Sequence, residues 1–159
     1  MSRVFLGLGS NLGDRHSRLQ AAIARLRKIA SVTAVSRVYE TAPVGGPTQG
    51  LFLNAAACID WPSQDLLALL DLTQAIERDE GRVHVTPWGP RTLDVDLLYA
   101  DDVDVATDVL VVPHARLFER AFALVPLLDI ADGDLERRSR VALATLRGHL
   151  VKLTDHTLA

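Results

Sequence analysis

The run Trp88-Gly89-Pro90-Arg91-Thr92-Leu93-Asp94-Val95-Asp96-Leu97-Leu98 puts an aromatic, an arginine and two carboxylates in one short stretch. Trp88 to Pro90 reads as a turn, because proline lacks an N–H and restricts the backbone on either side. Leu93 to Tyr99 predicts a strand. Strand side chains alternate, so Asp94 and Asp96 share one face while Leu93, Val95 and Leu97 take the other. Two adjacent carboxylates repel at neutral pH unless a cation or a proton intervenes. Oxygen-only ligation suits a hard ion such as Mg2+, and Arg91 could hold an anion beside it.

Other polar groups sit near irregular backbone. Arg82, Arg91 and Arg120 could bind anions; His114 follows Pro113; Asn54 interrupts an apolar strand. A metal, several arginines and no obvious nucleophile suit phosphoryl chemistry, which needs positioning and charge neutralisation more than covalent help. There is no P-loop, no serine-centred elbow and no cluster of Cys and His ligands for zinc. Taken alone, His114 is more often a structural histidine and Arg120 a helix-surface residue; their company points to chemistry.

The bulk properties bound the answer. The 159 residues fit a single domain, residues 1–159, and 48% hydrophobic with 23% charged is ordinary for a globular protein. A net charge of -3 argues against a nucleic-acid binder. The single cysteine, Cys58, excludes an internal disulfide and reads as core filler. No apolar run is long enough to span a bilayer, and the N-terminus does not read as a signal peptide. These features predict a cytoplasmic protein without a membrane partner.

The elements that must position the candidate residues follow in order. Arg3 to Leu8 predicts a buried strand. Gly7-Leu8-Gly9-Ser10-Asn11-Leu12-Gly13 departs from the dinucleotide-binding spacing and reads as a strand-to-helix turn, with Asp14 at the helix start. A helix follows from about 14 to 30 on the spacing of Leu19, Ala22, Ile23, Leu26 and Ile29, with Arg18, Arg25 and Arg27 solvated and His16 at the surface. Val32 to Tyr39 predicts a second strand. Glu40 to Gly50 is a loop rich in glycine and proline, of a length that tends to be functional. Phe52 to Asp60 predicts a third strand.

Ser63 can cap a helix to about Glu80, with Leu66, Leu67, Leu70, Thr73 and Ile76 inward and Gly81 as the stop. Glu77 in its last turn opposes the helix dipole and calls for another partner. Arg82 to Pro87 is a second loop. Strand, helix, strand, strand, helix, strand is the α+β ferredoxin-like βαββαβ plan, with an antiparallel sheet and helices on one face. A hairpin around Val103 to Val112 follows, with Asp101, Asp102 and Asp104 as turn acids. Helices are expected at about Ala115 to Ile130 and Ser139 to Val151, separated by a turn at Asp132-Gly133-Asp134.

The stretch from Trp88 to Leu98 closely resembles the signature of the 6-hydroxymethyl-7,8-dihydropterin pyrophosphokinase family. Gly9-Ser10-Asn11-Leu12-Gly13, Tyr39-Glu40-Thr41-Ala42-Pro43-Val44-Gly45, Phe52-Leu53-Asn54-Ala55, Glu77 with Gly81-Arg82, Val112-Pro113-His114 and Arg120-Ala121-Phe122 follow in the family's order, covering residues 3 to about 128. The resemblance implies transfer of pyrophosphate from ATP to the hydroxymethyl group of the dihydropterin, with AMP leaving, in folate biosynthesis. It implies two Mg2+ ions on Asp94 and Asp96, with Arg82 and Arg91 stabilising the transferring group. Glu77, Arg82, Arg91, Leu97, His114 and Arg120 would bind the nucleotide. Thr41, Pro43, Val44, Phe52, Asn54, Trp88, Asp94 and Phe122 would bind the pterin, with Trp88 and Phe122 as a sandwich. A monomer is expected.

This chain departs from the family in places. His84-Val85-Thr86-Pro87 carries less positive charge than usual, Val109 and Val111 stand where some members have Arg and Thr, Phe52 replaces a common Tyr, and Ala115 an aromatic. Two alternatives stay open. One is another Mg2+-dependent nucleotide transferase with an Asp-x-Asp pair; the other is a non-catalytic ferredoxin-like module that binds pterin or nucleotide.

Overall fold

The N-terminal apolar run forms the strand on which the sheet is built. The computed structural model describes residues 2–81, 89–146 and 151–158. β1 (Ser2–Ser10) pairs antiparallel with β4 (Phe52–Trp61) on one side and β5 (Asp94–Ala100) on the other. β2 (Ser31–Val35) and β3 (Tyr39–Thr41) both pair with β4, and β8 (Val151–Leu153) pairs with β3. All pairings in this six-stranded sheet are antiparallel, and its order is β5-β1-β4-β3-β8 with β2 beside β4. The core is the ferredoxin-like βαββαβ plan.

The strand expected from Val32 to Tyr39 is divided. The Ser36 hydroxyl accepts from the Ala56 N–H at 2.7 Å and donates to the Arg37 carbonyl at 2.7 Å. A side chain thus takes the place of a ladder acceptor, and regular pairing resumes at Tyr39.

α1 (Arg15–Ile29) and α2 (Leu66–Asp79) cover one face of the sheet. Leu19, Ile23 and Leu26 of α1 and Leu69 and Ile76 of α2 bury with Val4, Leu6, Leu8, Val95 and Leu97. Asp14 caps α1 by accepting from Ser17 N–H at 3.1 Å. Asp65, not Ser63, caps α2: its carboxylate accepts from Ala68 N–H at 3.1 Å, while the Ser63 hydroxyl accepts from Asp65 N–H one turn earlier. Leu66, Thr73 and Ile76 are buried and Leu70 packs on the core, as expected, whereas Leu67 is exposed and Leu69 and Glu77 take the remaining inward places. Arg25 and Arg18, expected to be solvated, reach Asp79 at 2.7 Å and Glu80 at 3.7 Å.

The C-terminal helices differ more from expectation. α3 (Ala121–Leu128) and α4 (Gly133–Thr145) pack on the opposite face, through Leu124, Leu127 and Leu135 against Phe5, Ala56, Cys58 and Leu98. Helices therefore cover both faces, because this second face is also apolar at one end. The segment expected to be helical from Ala115 begins with a 3-10 turn at Leu117–Glu119, and Arg120 is extended before α3 starts. A break between two helices falls near Asp132-Gly133-Asp134 as expected, but α4 already begins at Gly133 rather than at Ser139; Asp134 and Glu136 lie in its first turn, where acids suit the dipole. Val151, expected at a helix end, lies in β8.

β6 (Val105–Ala106) and β7 (Val111–Val112) form the hairpin. Asp101 precedes it and pairs with Arg3 at 2.6 Å. His16, expected at the surface, is half-buried: its Nε2 lies 2.8 Å from the Thr157 carbonyl, and its ring stacks on His156. No helix among the described residues is long and apolar enough to cross a membrane.

Candidate active site

β1 alternates Phe5, Gly7, Gly9 on the face that α3 and α4 share. Phe5 is covered by those helices, whereas Gly7 and Gly9 line a cavity of about 450 Å³ beside them. Register then assigns the neighbours. Gly9 is paired with Asn54 of β4 and with Asp94 of β5; Gly7 is paired with Ala56 and Asp96. Asn54, Gly9 and Asp94 thus form one row across the sheet, and Asp96 stands in the next row. The expected alternation holds: Asp94 and Asp96 line the cavity while Leu93, Val95 and Leu97 are buried in the opposite layer. The same alternation carries on to Leu98, which faces the side of the two acids and helps to line the cavity.

The wall opposite the sheet is cationic. Arg91, His114, Arg116 and Arg120 line the cavity with the two acids. Arg91 Nη1 donates to Asp94 Oδ2 at 2.8 Å. Burial pushes the Arg120 guanidinium below its ordinary value and Asp96 partly offsets this, while its charge lies over the Phe122 ring at 5.5 Å. His114 is half-buried just after the Val112–Pro113 cis peptide, and its N–H donates to the Leu98 carbonyl at 2.8 Å. Burial first, then Arg120 and Arg116, push its imidazole below its ordinary value. Arg116 N–H donates to His114 Nδ1 at 3.2 Å. That bond assigns the proton of the neutral ring to Nε2, which makes His114 a hydrogen-bond donor at neutral pH.

The other side of the cavity is lined by Pro43, Val44, Phe52, Asn54 and Phe122. The Thr41 hydroxyl donates to Asn54 Oδ1, and Asn54 Nδ2 lies 3.4 Å from the Leu8 carbonyl, so the amide is held in one orientation. A Cβ at Gly9 would come within 2.9 Å of Asn54 Nδ2, which explains a glycine inside a strand here.

Three predicted residues lie off this cavity. Thr41 is buried beneath Asn54 and reaches the cavity through it. Glu77 is buried on α2 and accepts from Val95 N–H at 2.9 Å, which supplies the partner its position called for. Leu97 lines a second recess of about 310 Å³ with Leu70, Leu110 and Ala115, which adjoins the first at Asp96 and His114. Arg82, Trp88 and the loop from His84 to Pro87 lie outside the described residues, so the expected sandwich is represented by Phe122 alone. Gly7, Gly9 and Arg116 were not anticipated. The glycines could have been found by continuing the alternation from Phe5; Arg116 had no signal beyond its nearness to His114.

The model of the 7,8-dihydro-6-hydroxymethylpterin-pyrophosphokinase family matches residues 5–132. The chain belongs to this family. The 2-amino-4-hydroxy-6-hydroxymethyldihydropteridine pyrophosphokinase of Bacillus subtilis is 46% identical over 128 residues, covering 79% of this chain and 76% of its own. The corresponding Mycobacterium leprae protein is 44% identical over 146 residues, covering 86% and 75%. An HPPK-DHPS crystallised with substrates superposes with a TM-score of 0.71 at 13% identity, covering 91% of this chain and 43% of that one. Wild-type Plasmodium falciparum HPPK-DHPS gives 0.63 at 14% identity, with 91% and 43% covered. The present chain thus spans less than half the length of these structural neighbours, and at such identity they bear on the fold alone. The pyrophosphokinase match encloses every candidate residue from Thr41 to Phe122.

Proposed function

We propose that this protein transfers the pyrophosphoryl group of ATP to the hydroxymethyl oxygen of 6-hydroxymethyl-7,8-dihydropterin, releasing AMP, as a step in folate biosynthesis. One observation beyond family membership carries this reading. A fixed amide, Asn54, and a carboxylate pair, Asp94 and Asp96, lie in neighbouring rows of one sheet face inside a single cavity. Such a cavity holds a flat polar heterocycle at one end and a polyphosphate at the other.

The donor set fits Mg2+. No group of three or more His, Cys, Asp or Glu that could hold a metal occurs among the described residues. Asp94 and Asp96 would therefore hold the ion with phosphate oxygens and water completing its shell, which is how Mg2+ is usually bound. Two ions are expected, and when bound they would neutralise the triphosphate and orient the attacking hydroxyl.

The chain's own groups supply the rest. Asn54, locked by Thr41, reads the hydrogen-bonding edge of the pterin, and Phe52, Pro43, Val44 and Phe122 enclose its faces, with Trp88 as the second half of the sandwich. Arg91, which donates to Asp94 at 2.8 Å, is placed to bind phosphate oxygens, and Asp94 would be one of the residues holding the metal. Arg120, in a partly desolvated position, and Arg82 stabilise the charge on the transferring group. His114 donates from Nε2 without adding a full charge. The recess beside Leu97 takes the nucleotide base, and Glu77 steadies the metal-bearing strand from behind. The hydroxymethyl O–H gives up its proton to solvent as its oxygen bonds to the β-phosphorus, the bond from that phosphorus to the oxygen bridging it to the α-phosphorus breaks, and AMP leaves with that oxygen.

We assign the whole chain, 1–159, to one catalytic domain acting as a monomer in the cytoplasm. AMP release from ATP and Mg2+, measured with and without the reduced pterin, tests the reading. AMP only with the pterin is expected. Pterin-independent release favours another nucleotide transferase, and pterin binding without release favours a binding module.

A further inference from the structure

Asn11 lies just beyond β1 and is 7% exposed, yet it lines neither cavity. Its backbone N–H donates to the Arg91 carbonyl at 3.1 Å, and its side-chain Oδ1 accepts from the Arg91 N–H at 2.8 Å. Its Nδ2 donates to Gln49 Oε1 at 2.8 Å and to the Gly50 carbonyl at 3.1 Å. The acceptor end of one amide therefore serves the segment carrying Arg91, and the donor end serves the loop carrying Pro43 and Val44. The amide has one workable orientation, because a flip would set NH2 against the Arg91 N–H and oxygen against the Gly50 carbonyl. Arg15 ties the two ends of the loop together, donating to the Leu51 carbonyl at 2.9 Å and to Glu40, on β3 before the loop, at 2.8 Å. The loop is thus pinned at residues 49–51, while Pro43 and Val44 stand at the cavity rim.

We propose that Asn11 is a positioning residue for the reaction, a two-ended bracket that sets the pterin-side loop in register with the Arg91 segment. This role rests on the functional reading above. The two ends can be cut separately. Asn11→Asp keeps an acceptor for Arg91 but turns the donor end into a carboxylate facing the Gly50 carbonyl. Asn11→Ala removes both ends. Gln49→Ala, in a partly exposed loop where folding is not at risk, removes one acceptor from the loop end only.

The test is steady-state AMP release with both substrates varied, beside thermal melting of each variant. Asn11→Asp is expected to raise KM for the pterin by about tenfold, the scale of one lost buried hydrogen bond, with KM for ATP held near wild type. Gln49→Ala gives a smaller change of the same kind. Asn11→Ala adds a fall in kcat, because the Arg91 segment is released as well. Wild-type parameters in all three variants overturn the role, as does an equal rise of both KM values in Asn11→Asp. Absence of pterin-dependent AMP release by the wild type overturns the reading of the reaction itself, and that control separates the two failures.

Discussion

Glu77 accepts a hydrogen bond from the Val95 N–H at 2.9 Å, between the two candidate metal ligands, Asp94 and Asp96. The bond joins α2 to the edge of β5 from the face opposite the cavity. Glu77→Ala leaves a buried donor unmatched, at a cost of about 1–3 kcal/mol. Urea unfolding should show that loss, and kcat should fall because the Asp94–Asp96 strand is no longer held. Glu77→Gln keeps an acceptor oxygen and should recover most of both.

Asp94→Asn and Asp96→Asn test the carboxylate pair. Both positions are partly exposed on an otherwise intact strand, so circular dichroism should match the wild type. AMP release should fall by on the order of 10²–10³ or more, the scale for removing a group that stabilises transition-state charge. Mg2+ with a non-hydrolysable ATP analogue should raise the melting temperature of the wild type and not of either variant.

Arg120 and Arg116 should separate by burial. Arg120 lines the cavity in a half-buried position, while the Arg116 side chain is 43% exposed and 3.9 Å from Glu119. A charged hydrogen bond to a phosphate is worth more where water is excluded. Arg120→Ala should lower kcat/KM for ATP by roughly tenfold or more, and Arg116→Ala by a few-fold with greater salt dependence. Initial rates at two ionic strengths measure both.

Gly9→Ala tests the floor of the cavity. The new methyl meets Asn54 Nδ2 at 2.9 Å, and Asn54 is tied to Thr41 and cannot turn aside freely. Calorimetry with a pterin analogue should show a loss of affinity, while affinity for the ATP analogue changes little.

His114 gives a pH signature in the ligand-free protein. Its folded value lies below the ordinary 6.5 through burial, with Arg120 and Arg116 adding to the shift and Asp94 opposing it. Above 6.5 the imidazole is neutral in folded and unfolded chains alike and gives no slope. As pH falls below 6.5 the unfolded chain takes the proton first, so stability is lost on acidification. Urea unfolding at about pH 7 and about pH 5.5 should show a larger loss for the wild type than for His114→Asn. An NMR titration should place the His114 midpoint below the ordinary value.

The parts of this protein legible in the sequence are those set by short-range rules. Alternation alone placed Asp94 and Asp96 together and Val95 and Leu97 behind them. Glu77, an acid in the last turn of α2, needs a partner outside its own helix on dipole grounds, and only the fold names it as Val95. What local rules miss depends on distant contacts. Ser36 divides a strand because its hydroxyl meets Ala56; α3 and α4 cover a second face because Phe5 and Leu98 make one end of it apolar. Asn11 reads as a turn residue and is a bracket only because Gln49 and Arg91, far apart in the chain, arrive on either side of it. Arg116 has no local signal, and only the fold brings it to the cavity beside His114.

The central claim is that both terminal phosphates move together onto the pterin. Phosphorus NMR of a reaction containing ATP, Mg2+ and the reduced hydroxymethylpterin tests it most directly. AMP and a pterin-bound diphosphate accumulating in equal amounts is the predicted result. ADP with a pterin monophosphate, or AMP with free pyrophosphate and unchanged pterin, would contradict it.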